Sequence, residues 1–103
     1  MYTLKGGNMK TKLLKIINHY GIEHQQRKLA EEVFELQQAI SLERYGEDNK
    51  DQIEEEMADV CNVLMEISNY YKLDTVKMRK IMESKQDRQL ERIENETDNT
   101  MVE

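Results

Sequence analysis

Apolar side chains recur along this chain at every third or fourth position, in four blocks separated by glycine or by short polar stretches. That spacing keeps a stripe on one face of an α-helix. The first block predicts a helix from about Met9 to Tyr20, with Leu13, Ile16, Ile17 and Tyr20 on one side. It ends at Gly21, since glycine suits the left-handed position after a helix. The second runs from near Ile22 to Tyr45 and stops at Gly46. The third follows "EDNKD", where Asp48 or Asp51 can cap free N–H groups, and runs to Tyr71. Asp74 can cap a fourth, which carries Val76, Ile81, Met82 and Leu90 to about Ile93. Short turns make successive helices antiparallel. The pattern therefore predicts an all-α antiparallel bundle of about four helices over residues 9–93. Residues 1–8, interrupted by Gly6 and Gly7, read as a flexible arm, and the polar residues 94–103 as a disordered acidic tail.

Carboxylates break into two of these stripes. In "KLAEEVFELQQ" (28–38), Glu31, Glu32 and Glu35 fall among Leu29, Val33 and Leu36; in "EEEMADV" (54–60), Glu56 and Asp59 fall among Ile53, Met57 and Val60. With Leu29 at zero, Val33, Leu36 and Ile40 stay within about 40 degrees of it, while Glu32 and Glu35 lie about 60 and 120 degrees to one side. With Ile53 at zero, Met57, Val60, Leu64, Ile67 and Tyr71 form the stripe, and Glu56 and Asp59 lie about 60 and 120 degrees to the same side. Antiparallel helices sharing one core bring flanks of the same hand together. Glu32 and Glu35 should then meet Glu56 and Asp59 at the edge of the core.

Composition sharpens this picture. The chain has 103 residues, 38% hydrophobic and 35% charged, with no proline and four glycines. One modest core is within reach, and sharing burial with further copies suits so amphipathic a chain. Ala30 and Phe34 on the second helix, with Ala58, Cys61 and Met65 on the third, widen the apolar surface and predict a dimer or tetramer. The net charge of −6 disfavours a nucleic acid polymer as partner. No apolar run approaches the length of a membrane span, and no signal-peptide stretch opens the chain. Cys61, the single cysteine, cannot form an internal disulfide, so a cytoplasmic setting is expected. It reads as a small core residue rather than a nucleophile, because no basic neighbour in sequence activates it.

Two carboxylates about 4 Å apart repel by roughly 4 kcal/mol at an effective dielectric near 20. Several such pairs burden a domain whose whole stability is about 5 to 15 kcal/mol. An acidic helix flank is ordinarily solvated surface, but matched offsets on successive helices point to a cation. An oxygen-only ligand set suits Mg²⁺ or Mn²⁺. A di-iron bundle needs Glu-x-x-His pairs, and neither His19 nor His24 has a glutamate three residues before it.

Glu-Glu-x-x-Glu at 31, 32 and 35, followed by Glu-x-x-Asp at 56 and 59 and then "ADVCNVLMEI", resembles the MazG-like superfamily of all-α nucleoside triphosphate pyrophosphohydrolases. Dimeric dUTPases, dCTP pyrophosphatases and phosphoribosyl-ATP pyrophosphohydrolase belong to it, and the resemblance covers roughly residues 20–90. It implies Mg²⁺-dependent hydrolysis of a nucleoside triphosphate to monophosphate and pyrophosphate. By the same resemblance Glu32, Glu35, Glu56 and Asp59 are the metal ligands, and Glu35, or failing it Glu31, activates the attacking water. Lys85 and Arg88, one turn apart in the last helix, are similar to the family's phosphate contacts. Tyr20, His24 and Asn62 are candidates for touching the base. Two other readings stand beside this one: a phosphoribosyl-ATP pyrophosphohydrolase, and a helical interaction or regulatory module whose acidic helices bind a basic surface.

Overall fold

The computed structural model describes residues 7–46 and 48–102, with side chains to 97. It contains four helices and, among the described residues, no strand: α1 (Met9–Tyr20), α2 (Ile22–Arg44), α3 (Lys50–Tyr71) and α4 (Thr75–Val102). The all-α class and the starts of the helices agree with the periodicity. The first six residues of the expected arm lie outside the described part. Asn8, which the sequence placed in that arm, caps α1 instead, its side-chain oxygen accepting from the Thr11 N–H at 2.9 Å.

Two units make up the chain, one ending at Leu73 and the other beginning at Asp74. In the first, α2 packs along α3, and α1 packs chiefly on α3. Leu13, Ile17, Ala39, Val60 and Val63 form its buried apolar core. Gly21 joins α1 to α2 with φ 86° and ψ 161°, an extended conformation of positive φ rather than the left-handed helical one expected. Asn49 closes the α2–α3 hairpin. Its N–H donates to Glu43 Oε2 at 2.6 Å and its Nδ2 to the Ala39 carbonyl at 2.8 Å. That reach back to α2 leaves α3 without a side-chain cap, so neither Asp48 nor Asp51 plays the part the sequence suggested.

α3 ends on Lys72 at φ 53° and ψ 46°. Leu73 N–H donates to the Ser68 carbonyl and Lys72 N–H to the Asn69 carbonyl, the paired bonds of a Schellman ending. A lysine here bears the Cβ penalty of left-handed backbone that glycine escapes. Lys72→Gly should therefore stabilise the domain by about 0.5 to 1 kcal/mol after the added entropy of the unfolded glycine. Thermal melts will read this as a rise of a few degrees.

The faces that α2 and α3 bury differ from the stripes read off the sequence. Gln25, Glu32 and Ala39 are the buried residues of α2, and Val60, Val63 and Glu66 those of α3. Both sets are centred about 60 to 80 degrees toward the acidic flank from the expected stripe. Carboxylates consequently enter the packed interface instead of rimming it. Val33, Phe34, Ile40, Met57, Leu64 and Met65 are left exposed by the same rotation.

α4, described by itself, begins with Asp74 Oδ1 accepting from the Lys77 N–H at 3.0 Å, the cap that the sequence predicts. It continues to Val102 rather than stopping near Ile93. Glycine and proline are both absent from residues 75–102, so no residue type forces an earlier end.

Candidate functional site

Two side-chain pairings fix the register of α2 against α3. Gln25 Nε2 donates to Glu66 Oε2 at 3.0 Å. Ten residues on along α2 and ten back along α3, Glu35 and Glu56 face each other with carboxylate oxygens within 4.8 Å. This register also sets Glu32 level with Asp59.

Glu32, Glu35 and Glu56 each place one carboxylate oxygen within 4.8 Å of the others. Glu32 is only 6% exposed. Its Oε1 meets Lys28 Nζ at 3.2 Å, and Gln52 Nε2 donates to Glu56 Oε1 at 2.6 Å. The second oxygens, Glu32 Oε2 and Glu56 Oε2, are buried without a hydrogen-bond partner. Glu35 is held above the usual carboxylate range, first by hydrogen bonding with the facing Glu56 carboxyl and then by repulsion from Glu32 and Glu56. Buried acceptors lacking donors are costly, and a cation would satisfy them. These three oxygen donors, free of nitrogen and sulfur, fit a hard divalent ion such as Mg²⁺ or Mn²⁺.

Glu32 also lines a cleft of about 610 Å³ between the three helices of the first unit. Asp59, Asn62, His24, Gln25, Lys28 and Glu66 share its wall, with apolar surface from Leu13, Ile16, Tyr20 and Val63. The His24 and Tyr20 rings stack at 4.7 Å and 18°. Gln25 and Glu66 are 4% and 3% exposed, and His24 Nδ1 lies 2.7 Å from Gln25 Oε1. Since the amide nitrogen of Gln25 faces Glu66, its oxygen accepts from the histidine.

The structure thus brings together most of the residues singled out from the sequence. Glu32, Glu35 and Glu56 form the cluster. Asp59 lines the cleft beside Glu32 but lies outside that close group. Glu31 is exposed and borders a shallow hollow with His24, Arg27 and Lys28. Tyr20, His24 and Asn62 all line the cleft. Lys85 and Arg88 are exposed on α4, in the second unit. Cys61 is exposed on α3 rather than in the core, because α3 turns that face away from α2. Gln25, Lys28 and Glu66 escaped the sequence reading. For Gln25 and Glu66 the available signal was a polar residue recurring seven positions from an acidic one, Gln25 before Glu32 and Glu66 after Asp59, and for Lys28 it was its place four residues before Glu32.

Burial pushes the Glu66 carboxyl above its ordinary range, against the opposing influence of the Gln25 hydrogen bond and the Lys28 charge. A raised folded-state pKa means that the native protein binds this proton more tightly than the unfolded chain does. The resulting stability is fully present below the unfolded value of about 4.3 and is lost as the pH rises through the folded one. Glu66→Gln should consequently match the wild type near pH 4 and surpass it at pH 7. Parallel thermal melts across that range check the prediction; a gap that closes with rising pH would contradict it.

Comparison with models of known protein families, with curated proteins and with solved structures finds no match for this chain.

Proposed function

We propose that the protein is a Mg²⁺-dependent nucleotide pyrophosphohydrolase, cleaving a nucleoside triphosphate to its monophosphate and pyrophosphate. The observation that carries this reading is the pair of buried, unpartnered oxygens on Glu32 and Glu56 within the three-glutamate cluster. Glu32 joins that cluster to a cleft with room for a nucleotide. Glu32, Glu35 and Glu56 would hold the ion, with Asp59 level with Glu32 on the cleft wall. A divalent cation held there would neutralise carboxylates and phosphates together and acidify water. The MazG-like motif pattern supports the same reaction.

Glu35 is the exposed member of the cluster, where water reaches it, which suits a general base. It takes a proton from water as the water oxygen bonds to the α-phosphorus. The bond from that phosphorus to the bridging oxygen of the β-phosphate breaks, and pyrophosphate leaves with the electron pair. The exposed apolar residues on α2 and α3 are the surface that a second copy covers, giving a dimer or tetramer.

Incubation with each common nucleoside triphosphate and Mg²⁺ tests the reaction. Monophosphate and pyrophosphate should appear in equal amounts and vanish with chelator. Release of orthophosphate, or no turnover of any triphosphate, would defeat the proposal.

A further inference from the structure

The cleft contains a polar pair that the proposed cation site does not use. Gln25 and Glu66 sit opposite one another on α2 and α3, both at least nine-tenths buried, and joined at 3.0 Å. Each lies seven residues, about 10 Å along its helix, from a carboxylate at the other level of the cleft: Gln25 from Glu32, Glu66 from Asp59. A nucleotide has polar groups at its two ends, phosphates at one and a base edge at the other. A cleft with carboxylates at one level and a buried amide–carboxylate pair two helical turns away matches that layout.

Hydrogen-bond accounting then narrows the base. His24 Nδ1–H donates to Gln25 Oε1 at 2.7 Å, which holds the amide so that Nε2 faces Glu66. One Nε2 hydrogen goes to Glu66 Oε2, and the other is unused among the described residues. Glu66 accepts one hydrogen bond there, from Gln25, leaving Oε1 without a donor. The pair therefore offers an acceptor beside a donor. Resting on the nucleotide-hydrolase reading, we propose that Gln25 and Glu66 select bases carrying an exocyclic amino group next to a ring-nitrogen acceptor, as cytosine and adenine do.

The matching contacts are the amino N–H to Glu66 and the Gln25 N–H to N3 of cytosine or N1 of adenine. Uracil and thymine reverse both positions. Each sets a carbonyl oxygen against the carboxylate and a ring N–H against the amide N–H. A site built around buried polar groups rejects such mismatches strongly, because its own groups lose their partners. The flat wall of Tyr20 and His24 adds ring surface to the same part of the cleft.

Calorimetric binding of the α,β-methylene triphosphates of deoxycytidine, deoxyadenosine and deoxyuridine, with Mg²⁺, tests the selection without turnover. The first two should bind the wild type at least about tenfold more tightly than the third. In Glu66→Gln the amide can present oxygen or nitrogen, so the ratios should fall to within about threefold. Circular dichroism will confirm that the variant is folded. Equal affinities for all three in the wild type, tighter binding of the uracil analogue, or a ratio unchanged by Glu66→Gln would overturn the base assignment while leaving the hydrolase reading intact. If no analogue binds the folded wild type, the hydrolase reading falls and the base assignment falls with it.

Discussion

Glu35→Gln is expected to lower turnover at saturating Mg²⁺ by at least about a hundredfold, the low end of what a general base contributes. The amide keeps the shape of the side chain and one oxygen, but it cannot accept the proton of the attacking water. Excess Mg²⁺ can refill a weakened ligand set; it cannot replace a missing base. Nucleotide binding should survive, because Glu32 and Glu56 remain, as does the cleft wall, to which Glu35 does not belong. Single-turnover kinetics will separate the two effects. If Glu35→Gln turns over normally while Glu31→Gln does not, proton abstraction belongs to Glu31.

Mg²⁺ should also stabilise the fold strongly, and Glu56→Gln should remove that response. An ion present at a hundred times its dissociation constant adds about 2.7 kcal/mol when it binds only the native state. For a domain of this size each kcal/mol moves the melting temperature by about 4 to 8 °C, so a rise of roughly 10 to 20 °C is expected. Without metal the same variant should melt no lower than the wild type, since it trades a carboxylate from a self-repelling group for a neutral amide. The opposite signs with and without Mg²⁺ distinguish a cation site from a structural hydrogen bond, whose loss would destabilise the protein in both conditions.

Much of this arrangement is legible along the chain. Gly21, Gly46 and Asp74 mark helix boundaries because backbone conformation and capping are local matters. The partnership of Glu32 and Glu35 with Glu56 follows from equal offsets on two antiparallel helices. Rotation of each helix about its own axis is not local. The apolar arc that includes Val33 and Phe34 on α2 is wide enough to face more than one neighbour, and packing turned it outward while drawing Glu32 inside. For the same reason Cys61 was misplaced, and Gln25 was invisible as the partner of a residue 41 positions away. The end of α4 was illegible for another reason. A polar composition suggested a frayed tail, yet nothing in it actively stops a helix.

The most direct test of the cation site is a titration with Mn²⁺ followed by electron paramagnetic resonance, in which the free ion gives the signal and the bound ion loses it. Wild-type protein should remove Mn²⁺ from solution saturably, and added Mg²⁺ should restore the signal by competition. Glu32→Gln combined with Glu56→Gln, still helical by circular dichroism, should leave the Mn²⁺ free. A wild type that binds no Mn²⁺, or a double variant that binds it as tightly as the wild type, would contradict the assignment of Glu32, Glu35 and Glu56 to a divalent cation.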